Sequence, residues 1–415
     1  VTRSTGPSGV RLFNTFEPVT DLYRELVPRI VSSGAPVTVY ASRAEYRPGR
    51  SLPAFLAGLE RARLRRLANL GLHARHGTLA KGVIGVAYFL DALARTLLAP
   101  GRHRNVFLTQ PPFIPVLGLI LSKLRSQPYC VILMDLQPQL AVAVGVLSRD
   151  SLAYRILHRV IGTALRNADR VVVIGRCMAD TARREGIPEG RLRVIPNWAD
   201  PDRIHPIPHS RNRFRREMGW GERFVVMYAG TLGYAQSLES LVAASEGLAR
   251  DTGIVFVVIG EGVRRAALEE RLARSGSTNV ELHPFMHRRF ELSEILSAAD
   301  VHFVPLHPDV TGLAVPSKTY GILAAGRPFI FQGSERSEIA RLARDEDVGI
   351  VVPPRAPDAI ASAVRDLAGH PDRGRALGRR GRALCQRAWK DGGPAAAYEA
   401  VLAELDGTGR GSGPA

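Results

Sequence analysis

Val315-Pro316-Ser317-Lys318-Thr319-Tyr320-Gly321-Ile322-Leu323-Ala324-Ala325-Gly326-Arg327-Pro328 runs directly into Phe329-Ile330-Phe331. The Pro-Ser-Lys step opens a short helix of small residues, Gly-Arg-Pro stops it, and the apolar triplet reads as a strand. Helix handed straight to strand is the repeating unit of α/β sheets. The same stretch carries chemistry. A helix N-terminus gathers unpaired N–H groups and a partial positive charge, so it attracts anions. With Pro316, the Ser317 hydroxyl and the Lys318 ammonium on one turn, it suits the diphosphate of a nucleotide-sugar.

Lys and Arg together number 56, and only Lys81, Lys123, Lys318 and Lys390 are lysines. Where arginine is the default cation, a retained lysine points to a need for a compact, rotatable ammonium. The motif around Lys318 supports that reading; the other three lysines are read as chance.

Outward from this segment the alternation persists. In the first half, strands are expected at residues 10–13, 37–41, 106–109, 131–134 and 171–174. A loop at Phe16-Glu17-Pro18 and a helix through Leu22, Leu26, Val27 and Ile30 follow the first of them. In the second half they are expected at 224–228, 254–259, 280–282, 301–305, 329–331 and 349–352. The first βαβ unit lacks a G-x-G-x-x-G, so dinucleotide binding is not indicated there. The proline-rich WADPDRIHPIPHSRN, residues 198–212, suits neither helix nor central strand. The expected plan is an N-terminal Rossmann-like domain over 1–200, a linker over 201–212 and a C-terminal Rossmann-like domain over 213–388. A terminal helix over 389–406 and a disordered tail over 407–415 complete it.

Two glycine loops mark the second half. Gly230-Thr231-Leu232-Gly233 follows a strand, and Gly260-Glu261-Gly262 follows the next, leading into Arg264 and Arg265. Such junctions let backbone N–H groups approach a ligand closely, though a plain tight turn gives the same pattern. Asp135 ends a strand, where open α/β sheets place ligands; a turn aspartate before Pro138 is the plainer alternative.

These segments together resemble glycosyltransferase family 4, in the bacterial exopolysaccharide (colanic-acid-type) branch. Asp135-Leu136-Gln137-Pro138-Gln139 is similar to its Asp-x-x-Pro-Glu. Val194-Ile195-Pro196-Asn197-Trp198-Ala199-Asp200 is similar to its interdomain segment, FVVMYAGTLGYAQ to its glycine loop, and Ser337-Glu338-Ile339-Ala340-Arg341 to a helix start. The likeness runs over about residues 10–390. It implies a GT-B architecture: two Rossmann-like α/β domains with parallel sheets facing across a cleft, and a last helix that crosses back to the first domain.

The resemblance also implies roles. Gly230, Thr231, Gly233, Gly260, Glu261, Gly262, Pro316, Ser317 and Lys318 would hold the donor, with Arg264 or Arg265 as its second cation. Asn197 would line the interdomain cleft, and Asp135 would act on the acceptor side. The chain departs from the pattern in places. Tyr234 stands where a basic residue is usual and Gln139 where a glutamate is usual. The family's two spaced glutamates fall near Leu313 and at Gly321. Glu338 is a candidate substitute, or simply a favourable helix-terminus charge. The expected reaction moves a sugar from a nucleotide-diphosphate-sugar to an acceptor hydroxyl, with retention and without a metal or other cofactor.

The net charge of +17 calls for an anionic partner. No aromatic-interleaved basic stripe or zinc-finger spacing appears, so nucleic acid is not expected. Apolar stretches flanked by arginine, at 64–72, 83–98 and 113–124, read either as domain core or as docking surfaces for an anionic leaflet. Cys130, Cys177 and Cys385 have no metal or redox spacing and suit a reducing cytoplasm. His73, His76, His158 and His302 have no ligand-like spacing. With no signal-peptide pattern and no long apolar run, a cytoplasmic protein, peripheral at the inner face of the plasma membrane, is expected. The acceptor is then a lipid-linked saccharide. A soluble natural-product acceptor, a non-catalytic binding partner and a nucleotide-sugar epimerase are the alternatives.

Overall fold

The computed structural model describes residues 9–14, 21–42, 59–67, 78–286 and 289–407. The loop read at Phe16-Glu17-Pro18, His73, His76 and the tail beyond Gly407 lie outside them. The chain divides into two compact units, Val1–Pro196 with Gly392–Ala415, and Asn197–Asp391.

The first unit holds a parallel sheet in the order β3-β2-β1-β4-β5-β6-β7. Its strands are β1 Gly9–Phe13, β2 Val37–Ser42, β3 Ala62–Leu67, β4 His103–Leu108, β5 Tyr129–Leu133, β6 Arg170–Val173 and β7 Leu192–Val194. Between them run α1 Asp21–Ser32, α2 Thr78–Leu98, α3 Pro115–Arg125, α4 Gln139–Ala143, α5 Leu152–Asn167 and α6 Arg176–Arg184. Strands such as YCVIL of β5 are buried along their whole length, as parallel strands covered on both faces must be.

The second unit repeats the plan, in the order β10-β9-β8-β11-β12-β13. It runs α7 Arg213–Glu217, β8 Phe224–Ala229, α8 Glu239–Glu246, β9 Ile254–Ile259, α9 Arg265–Ser275 and β10 Val280–His283. Then follow α10 Leu292–Ser297, β11 Val301–Pro305, α11 Lys318–Ala324, β12 Phe329–Gln332, α12 Glu338–Glu346, β13 Gly349–Val352, α13 Pro357–Gly369 and α14 Pro371–Trp389. Side chains alternate along β8. Val226 and Tyr228 join one core with Phe256, Phe303 and Leu367, while Val225 and Met227 join another with Phe214, Trp220 and Phe290. A period of two over a sheet covered on both faces produces this division.

Both orders reverse direction beside the first strand of the unit, between β1 and β4 and between β8 and β11. Ligands of open α/β sheets bind outside the carboxyl ends of strands at such a reversal. Gly230 and Leu306 therefore mark one expected crevice, and Thr109 and Asp135 lie by the other.

Two strands escape a reading of the sequence. β3, ARLRRL, pairs among the described residues with β2 alone and forms the edge of the sheet; its arginines hide it among basic clusters, yet charge on an edge strand deters further pairing. β7 is three residues long. The proline-rich stretch is also more than a linker, because it is strapped to the second unit. His205 N–H donates to Ser293 Oγ (3.2 Å) and Ile207 N–H to Ser297 Oγ (3.0 Å). Arg382 donates to the carbonyls of Ile204 and Pro201, each at 2.8 Å. Prolines bar a regular ladder here, so side chains of α10 and α14 satisfy the backbone instead.

At Gly392 the chain returns to the first unit as α15, Gly393–Gly407. Tyr398, Val401, Leu402 and Leu405 are buried. Glu404 pairs with Arg170 and with Arg193 (2.8 Å), Asp406 with Arg104 (3.1 Å) and Glu399 with Arg29 (3.2 Å). These partly exposed pairs orient the helix, while the apolar burial supplies most of the stabilisation.

Two helical glycines test the packing with opposite signs. A Cβ on Gly118 of α3 would collide with the rings of Tyr129 and Phe107, whereas one on Gly82 of α2 meets nothing within 4 Å. Gly118→Ala is expected to destabilise by about 1–3 kcal/mol through overpacking. Gly82→Ala should stabilise by roughly 0.5–1 kcal/mol through helix propensity. Denaturant melts of the two variants check both.

Candidate active site

β8 ends in a turn that only glycine adopts easily. Gly230 has φ +152°, and a Cβ there would stand 2.7 Å from Lys318 Nζ. Its N–H donates to Ile259 O (2.9 Å). A Cβ on Gly260, after β9, would collide with the Gly230 carbonyl oxygen. Leu232 N–H donates to Glu261 O (2.9 Å) and Arg264 N–H to Leu232 O (3.1 Å). The two glycine loops thus form one interlocked backbone layer at the carboxyl ends of β8 and β9. Thr231 and Glu261 are exposed on it, while Gly233, backed by the Gln236 side chain, and Gly262 complete its turns.

Beneath that layer sits Tyr228, fully buried. Its hydroxyl donates to Thr231 O at 2.6 Å, and Lys318 Nζ lies 3.7 Å from its ring centroid. The ammonium nitrogen is buried and has no hydrogen-bond partner among the described residues. Burial pulls the Lys318 pKa down to about 7. The quadrupole of the tyrosine ring stabilises the cation by roughly 2 kcal/mol when desolvated, which offsets only part of the burial cost. An anion arriving at the Gly230 turn would meet a cation with no competing partner.

The ring and the glycine layer enclose the Lys318 nitrogen, so the residue bears on folding as well as on charge. One expectation is corrected. The helix terminus contributes less than the motif suggests: α11 has seven residues and Ser317, exposed, makes no side-chain cap. Pro316 precedes it, partly exposed. Electrostatic attraction at this point rests on the ammonium.

The two arginines left open by the sequence separate clearly. Arg265 spends its guanidinium on the carbonyls of Gly260 (2.6 Å) and His283 (3.2 Å) and on Glu269. Arg264 is half-buried, pairs with Glu239 at 2.6 Å and lines a cavity of about 430 Å³. Tyr234, His307, Gln332 and Arg355 line the same cavity at the carboxyl ends of the strands. Gln332 Nε2 is buried there without a partner. Glu338 is buried at the first position of α12, next to Ser337, whose Oγ accepts from Ala340 N–H (3.2 Å).

In the first unit, Asp135 follows β5 and accepts a hydrogen bond from Thr109 Oγ1 at 3.0 Å. Burial raises its pKa, opposed by hydrogen bonds from Thr109 and Gln137. Its anchor therefore comes from the end of β4, not only from its own turn. Gln139 Oε1, at the start of α4, is buried without a partner among the described residues. At the head of the second unit, Asn197 Nδ2 is likewise buried, with no partner among the described residues. His158 pairs with Glu185, and His302, held near pKa 4 by burial, lies against Leu296 O. Both are packing residues.

Tyr228, Thr109 and Gln332 are the site residues a sequence reading misses. Only position signals them: each lies at the carboxyl end of a strand.

Sheet reversal, glycine layer and cation come together at one candidate site. A model of the glycosyl transferase 4-like domain matches residues 19–198, and one of glycosyl transferases group 1 matches residues 223–370. The probable glycosyltransferase WbjE of Pseudomonas aeruginosa is 31% identical over 279 residues, 65% of this chain and 68% of WbjE. The putative colanic acid biosynthesis glycosyl transferase WcaI of Escherichia coli is 25% identical over 49% of this chain and 50% of its own length. Among solved structures, HepE of Anabaena, in complex with UDP and glucose, superposes with a TM-score of 0.70. The match has 14% identity and covers 97% of this chain and 100% of HepE. The chain belongs to glycosyltransferase family 4 and has the two Rossmann-like α/β units of the GT-B fold.

Replacing the buried cation tests the geometry without any substrate. Lys318→Met, similar in length and apolar, is expected to stabilise the fold by about 1–3 kcal/mol at pH 7, because a desolvated charge without a partner is removed. The gap should narrow as pH rises. The folded pKa near 7 lies below the ordinary lysine value of 10.5, so between them the unfolded chain holds a proton that the folded one has released. Wild-type stability therefore rises with pH across that window. Thermal melts of both proteins from pH 7 to 10 check it.

Proposed function

We propose that this protein transfers a sugar from a nucleotide-diphosphate-sugar to a hydroxyl of a lipid-linked saccharide in bacterial polysaccharide assembly. The observation that carries the reading is the partnerless ammonium of Lys318 under the Gly230 turn. Breaking the bond from sugar to diphosphate develops negative charge on phosphate and oxocarbenium character on the sugar. A fixed cation in a dry site stabilises that charge without reorganisation, by roughly 3 kcal/mol for one such group. Arg264 supplies a second cation, and the 430 Å³ cavity has room for the nucleoside. The nucleotide in HepE and the colanic-acid role in the name of WcaI support this choice of donor and pathway class.

Transfer proceeds with retention and without a metal, the departing phosphate oxygen taking the acceptor proton. Asp135, held by Thr109, orients the acceptor hydroxyl, and the partnerless Gln139 oxygen offers it a further acceptor of hydrogen bonds.

A membrane-borne acceptor is favoured by exposed apolar side chains. Val83, Val86 and Leu90 stand out from α2, and Leu152, Ile156 and Val160 from α5, the latter beside exposed Arg155 and Arg159. Among the described residues no helix is long and apolar enough to cross a membrane. Surface docking is what this pattern provides.

Lys318→Ala should lower turnover by roughly 10²–10³-fold with a smaller loss of donor affinity, since the attraction grows as the bond breaks. Lys318→Arg should rescue it only in part. Asp135→Asn should lower turnover and leave nucleotide affinity nearly unchanged; equal loss of both would remove it from the acceptor role. Co-sedimentation with phosphatidylglycerol vesicles, weakened by Ile156→Gln, checks the membrane reading, and a chain that stays in the supernatant points to a soluble acceptor. Donor binding with neither transfer nor hydrolysis would identify a non-catalytic partner.

A further inference from the structure

A second cavity of the second unit lies away from the glycine layer. A groove of about 850 Å³ opens at the opposite end of the same sheet, where Phe224 enters β8, Asp300 precedes β11 and Pro328 precedes β12. Five arginines line it, Arg215, Arg216, Arg327, Arg375 and Arg379, against two carboxylates, Asp300 and Glu222.

The pairing within the groove leaves cationic charge in excess. Asp300 is taken by Arg215 at 3.0 Å and by Val225 N–H at 2.8 Å. Arg215 is fully engaged, donating also to the carbonyls of Ala298, Gly221 and Arg223. Arg327 reaches the carbonyls of Ile207 and Ser297 through Nη2, but its Nε is buried without a partner. Arg375 shares the exposed Asp372 (2.7 Å). Arg216 and Arg379 are exposed and have no side-chain partner among the described residues. His209, kept neutral by a pKa near 4, adds no charge. Burial also lowers Arg327 to about 10, which an anion alongside would reverse. A concave surface lined by one sign of charge focuses its field on the space it encloses.

Half-buried Phe224 and exposed Pro371 give the same groove apolar wall. We propose that it is a second anion site, which takes the phosphoryl group of a phosphate or diphosphate ester and packs the rest of that ligand on Phe224 and Pro371. Arg327 forms its floor, while Arg216 and Arg379 close on the phosphoryl oxygens from the rim. The site is separate from the donor site and does not rest on the roles given to Lys318 or Asp135.

The test keeps the two sites apart by working in a Lys318→Met background. Inorganic pyrophosphate titrated by calorimetry into that full-length variant should bind at one site per chain. Adding Arg216→Gln and Arg379→Gln should weaken it at least tenfold, with the melting temperature unchanged because neither side chain has a partner to lose. A parallel arm uses phosphatidylglycerol vesicles. Silence with pyrophosphate, together with vesicle binding that the two arginine changes abolish, supports the site and assigns its phosphoryl group to a lipid headgroup. A groove that binds neither probe, whose pyrophosphate affinity is unchanged by the two substitutions, or that is silent with pyrophosphate while vesicle binding survives them, overturns the proposal.

Discussion

A buried ammonium without an anionic partner is the constraint around which the second unit is arranged. Tyr228 supplies the ring on which Lys318 rests, and the same residue's hydroxyl holds the Thr231 carbonyl. Gly230 must lack a side chain because Lys318 Nζ occupies that space, and Gly260 must lack one because the Gly230 carbonyl does. One cation thus fixes the residue types of two loops that are far apart in sequence. Its energetic cost is tolerable in a fold stabilised by large apolar clusters on both faces of the sheet, and strain of this kind is commonly concentrated where ligands bind.

Much of the architecture was legible because most strands of the second sheet are short, nearly continuous apolar runs. IVFVVI admits hardly any other reading in a chain where helical patterns flank it. β3 was not legible, since alternating arginines read as a basic cluster until the neighbouring strand shows them to line an edge. The proline-rich stretch was legible as irregular, but its attachment to α10 and α14 depends on side chains some 90 and 180 residues away.

The site divides in the same way. Glycines after strands announced the loops, and the scarcity of lysine singled out Lys318. Its burial was invisible, because the ring that covers it lies 90 residues earlier and an aromatic near a strand end signals core as readily as function. Arg264 and Arg265 were indistinguishable in sequence; one residue of rotation on the first turn of α9 sends one guanidinium to loop carbonyls and leaves the other at the cavity. The general excess of arginine also acquires a location, since part of it gathers at the far end of the second sheet.

Because the chain has only four lysines, their side chains can be followed one by one by carbon-13 NMR of the ε-methylene. The account predicts that one resonance, absent in Lys318→Met, titrates near pH 7 in the free protein. On saturation with a nucleoside diphosphate its pKa should rise toward the ordinary lysine range near 10.4. Four lysines that all titrate near 10, with or without the nucleotide, would contradict it.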